Sequence, residues 1–137
     1  MKNLVLLIVA LICLGCSVDD DTRTTFTYEL VPTIAVQIPD TLVYQNTYNF
    51  EITFERPTQC HFFEGFNYEK DGNQRLIGVI NGIFDNPECE PLDNVTAVAN
   101  LNFIAERNDF YIFKFWQGEN ENGEPIFLTK EVPVKVQ

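Results

Sequence analysis

The chain has 137 residues, 45% of them hydrophobic and 21% charged, which suits one domain with a substantial core. Nine Lys and Arg against twenty Asp and Glu give a net charge of −11, which makes the chain a poor electrostatic match for nucleic acid and anionic lipid headgroups. Cationic partners and divalent ions remain.

Met1-Lys2-Asn3 is a short, singly positive start, and Leu4 to Leu14 is an almost unbroken apolar run of about eleven residues. A bilayer core needs ~20 such residues, so the run reads as a signal-peptide core rather than a span. Gly15 is the small residue before a cut, and Cys16 falls at the new N-terminus. The run, Gly15 and Cys16 resemble the lipobox of bacterial lipoproteins. Cys13 and Leu14 stand where that family usually has Leu and a small residue. The resemblance implies a signal peptide over 1–15, cleavage after Gly15 and acylation (palmitate among the chains) on Cys16, with acyl chains contributing ~0.8 kcal/mol per buried methylene. An ordinary cleaved signal and an uncleaved helix are the competing readings.

Ser17-Val18-Asp19-Asp20-Asp21 is similar to the acidic tag that sends some Gram-negative lipoproteins to the outer face of the outer membrane. A solvated linker is the plainer alternative. Residues 16–25 are then a lipidated cysteine and an acidic tether. The remaining 122 residues, without Lys2, carry −12. With Cys13 removed and Cys16 acylated, Cys60 and Cys89 remain as an even pair in an oxidising compartment, which predicts a disulfide rather than two free thiols.

From residue 26 the hydrophobic pattern has period two, the period of strands. Residues 26–31 and 33–38 alternate and end at Pro32 and Pro39, which suggests edge strands. Leu42-Val43 suggests a short bridge. Residues 47–55 alternate most clearly, with Tyr48, Phe50, Ile52 and Phe54 on a dry face and Asn49, Glu51, Thr53 and Glu55 on a wet one. In residues 60–70, Cys60, Phe62, Phe66 and Tyr68 share a face interrupted by Glu64. Asp71-Gly72-Asn73 is a hairpin signal. Residues 74–84 return, with Gly78 and Gly82 suggesting bulges or bends. Residues 85–94 read as an ordered loop held by Cys89.

Alternation resumes over 95–105. Residues 110–117 place Tyr111, Phe113 and Phe115 opposite Phe110, Ile112, Lys114 and Trp116. Residues 118–124 form an acidic hairpin tip, and Ile126, Leu128, Val132, Val134 and Val136 line one side of the last strand. Seven to eight strands without a helix predict an all-β domain over 26–137, two antiparallel sheets packed face to face. The strand count, the Pro-Asp opening and the final Pro133-Val134-Lys135-Val136 resemble immunoglobulin-like or fibronectin-type sandwiches of bacterial surface proteins. A closed barrel of lipocalin type is the competing fold.

Catalytic chemistry finds little material. Ser17 is the only serine and His61 the only histidine, so a nucleophile–base pair lacks parts. Glu64, the one acid on an aromatic face, is the candidate for a carboxylate mechanism. No cofactor is expected apart from calcium, for which Asp85, Glu88, Glu90 and Asp93 are the candidate ligands because hard cations take six to eight oxygens. Phe110 and Trp116 are candidate ligand-binding aromatics. Asn94-Val95-Thr96 fits an N-glycosylation pattern. Asp40-Thr41-Leu42 resembles a bacterial periplasmic O-glycosylation site, with Thr41 as the acceptor. The expectation is a non-enzymatic lipoprotein on the outer membrane, facing the exterior, that serves an envelope complex. The alternative is a carbohydrate- or calcium-binding module. Contacts are expected through loops distal to the anchor, at 85–94 and 118–124, or through the Trp116 strand.

Overall fold

The computed structural model describes residues 25–137; Cys13, the expected cut after Gly15, the expected acylation site Cys16 and all of the expected tether but Thr25 lie outside the described residues. Nine strands follow in order: β1 Phe26–Val31, β2 Thr33–Gln37, β3 Leu42–Val43, β4 Thr47–Glu55, β5 His61–Asp71, β6 Gln74–Phe84, β7 Thr96–Ile104, β8 Phe110–Glu119 and β9 Pro125–Lys135. No helix occurs among the described residues. The strands make two sheets. The larger runs β1-β6-β8-β9-β3 with β5 on the other edge of β6, and the smaller runs β2-β4-β7.

The core lies between the sheets and follows from alternation. Phe50, Ile52 and Phe54 of β4 are fully buried, as are Tyr111, Phe113 and Phe115 of β8. Their rings interlock: Phe50 meets Phe113 edge-on at 5.2 Å, and Phe103 of β7 meets both Tyr111 and Phe113 edge-on. Such geometry aligns the positive ring edge with a negative face, and each pair adds about 0.5–1.5 kcal/mol beyond area burial. Leu42, Val132 and Val134 close the far side. Ile126 and Val136, expected on the same side of the last strand, are exposed at its two ends.

Three features depart from the expected regular antiparallel sheets. The β6–β8 and β3–β9 pairs are parallel, so the larger sheet is mixed. The C-terminal half of β6 pairs with β1, while Gln74 to Ile77 pairs with β8. One long strand therefore joins two different neighbours along the same edge. Finally, the register shifts between Phe63 and Gly65 in β5 and between Thr33 and Ala35 in β2. An extra residue in one strand inverts the facing of everything after it. Phe62 therefore points away from the core while Phe66 and Tyr68 pack against it, which corrects the single face predicted for all three.

Candidate functional site

The outward face of the larger sheet is built by β1, β5 and β6. Strand β1 alternates as expected, but its apolar side faces out: Phe26, Tyr28 and Leu30 are 43%, 57% and 38% exposed, while Val31 is buried. The neighbouring β6 makes room for Leu30 and for Phe62 of β5. A Cβ on Gly82 would fall within the Phe62 ring, and one on Gly78 would press on the Leu30 methyls. Neither glycine sits at a register shift, so of the expected bulges or bends the bulges are absent; both let large side chains lie flat on the strand. Phe62 tilts against Phe84 at 4.6 Å and meets Phe26 edge-on at 6.0 Å, and Phe26 meets Tyr28 at 5.3 Å. Four aromatic rings thus form one contiguous layer outside the core.

Below this layer, at the same end, lies a polar cluster. Cys60 and Cys89 form the predicted disulfide, 29 residues apart with Cα atoms 5.5 Å apart. It ties the 85–94 loop to the start of β5, helped by Gln59 N–H donating to Glu90 O and Leu92 N–H to Pro57 O. His61, next to Cys60, is 5% exposed. The Thr58 backbone N–H donates to its Nδ1 at 3.2 Å, so the proton sits on Nε2 and is donated to Glu29 Oε1 at 2.6 Å. Thr58 Oγ1 lies 2.7 Å from Nδ1 and also accepts from the Cys60 N–H.

A hydroxyl, an imidazole and a carboxylate in a row have the order of an acyl-transfer relay. Here the hydroxyl closes a three-residue turn. The adjacent cavity of about 240 Å³ is lined by Phe54, Arg56, His61, Phe63, Asn81 and Ala97, among others, with Thr58 not among them. The row fixes the entry to β5. Asn81 is fully buried, and neither polar atom of its carboxamide has a partner.

The remaining predicted residues are scattered. Phe110 is exposed and Trp116 half-buried on the outward side of β8, opposite the buried Tyr111, Phe113 and Phe115, so this strand has one dry face. Trp116 pairs across the sheet with Phe127. Glu64 is exposed at the β5 register shift. Thr41 is half-buried in the bend before β3, and Asn94 is exposed with a φ of 55°.

Among the described residues, no three or more His, Cys, Asp or Glu gather as a metal cluster, so Asp85, Glu88, Glu90 and Asp93 are not brought together. The loop's polar groups are partly engaged: Asp85 accepts from Thr25 Oγ1, Glu90 from Gln59, and within the loop Asn86 accepts from the Glu88 N–H. The loop was expected distal to the anchor at Cys16, which lies outside the described residues. Asp85 N–H donates to Thr25 O, so the loop sits beside Thr25, the first described residue. Strand β8 runs parallel to β6 and points its 118–124 tip towards the same end.

The outward aromatic face was not legible as a site, because alternation in residues 26–31 does not say which side faces the core. The signal available was the glycine spacing in 78–82 beside three phenylalanine positions. No protein-family model matches the chain, and neither does any curated protein or solved structure.

Proposed function

We propose that the protein is a lipid-anchored binding module of the bacterial outer membrane, held through Cys16 with the domain facing the exterior, and that it acts without catalysis. Its binding surface is the aromatic face of β1, β5 and β6, and the partner is a membrane-proximal protein of the envelope. The observation that carries this reading is the layer of exposed Phe26, Tyr28 and Phe84 with the half-buried Phe62 among them. A contiguous apolar patch on a charged surface marks an interaction site. The layer begins at Phe26, directly after the tether. Residues 17–24 reach at most roughly 26 Å when extended at ~3.3 Å each, so a partner at this face lies close to the membrane. The acidic 85–94 loop borders the same end, and its carboxylates oppose burial of the face in lipid.

An immunoglobulin-like architecture is part of the proposal. Tyr111, the second residue of β8, accepts from the Glu106 and Arg107 N–H groups at the preceding corner, as in the tyrosine corner of that fold. The parallel β6–β8 pair is the departure from it. A second reading, sugar stacking, draws on the half-buried Trp116 beside Phe127. Loss of glycan binding in Trp116→Ala, with the aromatic face intact, would favour it.

The test is hydroxyl-radical footprinting of the full chain in intact cells and after detergent purification. Protection in cells of Phe26, Tyr28, Phe62 and Phe84, with Ile126 and Val136 equally reactive in both, is the expected result. Equal reactivity of the four rings in both states would contradict the proposal.

A further inference from the structure

Strand β7 ends the smaller sheet and pairs with β4 alone, over nine consecutive residue pairs without a register shift. Exposed edges of this kind invite another strand, and proteins usually blunt them with charge, proline, bulges or shortness. The other edge strands are short, interrupted or charged. Strand β1, at the end of the larger sheet, has six residues with Glu29 among them and stops at Pro32. Strand β5 carries a register shift at Glu64 and the charges Glu69, Lys70 and Asp71. Strand β2 is shifted at Ile34 and lies between Pro32 and Pro39. Strand β3 is two residues long. Strand β7 reads Thr-Ala-Val-Ala-Asn-Leu-Asn-Phe-Ile, with no charge, proline or glycine, in a chain of net charge −11.

Hydrogen-bond alternation shows which groups the edge offers. At the two ends of the ladder, Arg56 N–H donates to Val95 O and Ala105 N–H donates to Asn46 O. In an antiparallel pair, bonded residues recur every second position. Odd-numbered residues of β7 therefore bond to β4. Thr96, Val98, Asn100, Asn102 and Ile104 present their N–H and C=O to the open side, and all five are exposed.

We propose that this edge pairs with the same edge of a second copy, in an antiparallel ladder with its two-fold axis at Asn100. That register sets Thr96 against Ile104 and Val98 against Asn102 of the second copy, and pairs the two Asn100 residues on the axis. Five bonded pairs give about ten inter-chain hydrogen bonds. On the inner side, small residues meet large ones, Ala99 against Leu101 and Ala97 against Phe103, so neither excess volume nor a void arises. No charge faces a like charge, which in so acidic a chain is true of few surfaces. The axis runs through the sheet, so both copies turn their aromatic faces the same way and their tethers leave from opposite ends. One ladder is a small interface, and lipid anchoring strengthens it by raising the effective concentration. This inference does not depend on the identity of any other partner.

The test is in-cell cross-linking and sedimentation of the full chain. Asn100→Cys treated with a short bismaleimide on intact cells is expected to give a covalent homodimer, and Thr129→Cys, on the opposite sheet, is not. In detergent, wild-type chain is expected to dimerise reversibly. Asn100→Pro removes the outward N–H together with the exposed carboxamide that accepts from Asn49, and is expected to weaken dimerisation at least tenfold, whereas Asn100→Ala, which loses the carboxamide alone, is not. Asn100→Lys places two like charges on the axis and weakens it similarly, with recovery in high salt. A wild type that stays monomeric, dimers indifferent to the proline and lysine substitutions, or adducts at position 100 with another protein would each overturn the proposal.

Discussion

Removing the Cys60–Cys89 bond is the perturbation whose magnitude can be worked most directly. The bridged residues are 29 apart. Loop-closure entropy for that length is about 12 cal/mol/K, or about 3.6 kcal/mol at 25 °C. Replacing both cysteines by Ala deletes little packing, since Cys60 is small and Cys89 is half-exposed, so nearly the whole effect comes from the freed unfolded chain. A domain of this size holds ~5–15 kcal/mol in total, and the loss should lower Tm by roughly 10–20 °C. The assay is urea unfolding, read as a lower midpoint with a slope that rises because the uncrosslinked chain exposes more surface. Hydrogen exchange should locate the consequence: the Gln59 and Leu92 N–H groups, bonded to Glu90 and Pro57, should lose protection first. An unchanged midpoint, or early loss of protection in β4 instead of the loop, would refute the reasoning.

Three further outcomes are expected. Asn81→Leu should raise stability by about 1 kcal/mol in thermal melts, because a buried carboxamide without partners is replaced by an apolar side chain of similar size; a comparable fall would show that the amide is satisfied in solution. The Arg107 guanidinium and then the Phe110 N–H hold the exposed Asp109 carboxyl down from the usual 3.8 to about 2. Its folded value is depressed, so the pair's contribution is present above 3.8 and lost as pH falls through about 2; carboxyl NMR titration should find that midpoint, and Arg107→Gln should return it towards 3.8. Cys16→Ala should abolish metabolic palmitate labelling and release the domain from the membrane fraction, whereas labelling that persists would place the anchor elsewhere.

The legible parts of the fold are those decided by local alternation. Residues 47–55 and 110–117 carry their own answer, because one face of each is too apolar to meet water. The hairpin at Asp71-Gly72-Asn73 was equally legible, since Gly72 takes a φ of +57° that glycine adopts freely. What stayed hidden is non-local. The β5 register shift beside Glu64 inverts the facing of Phe62, and no pattern within residues 60–70 marks where the extra residue sits. The outward packing of Leu30 and Phe62 depends on Gly78 and Gly82, distant in sequence, lying beneath them. The bond between the 85–94 loop and Thr25 was hidden because it follows from β1 pairing with the end of β6. The disulfide was legible only by counting cysteines.

The central claim, a membrane-proximal protein bound at the aromatic face, is tested most directly by a photo-reactive phenylalanine at Tyr28 in the full, anchored chain. Irradiation of intact cells is expected to give one discrete protein adduct, absent when the probe stands at Thr129 and lost in a Phe62→Ser background. Adducts to lipid alone, or the same adducts from both positions, would contradict the account.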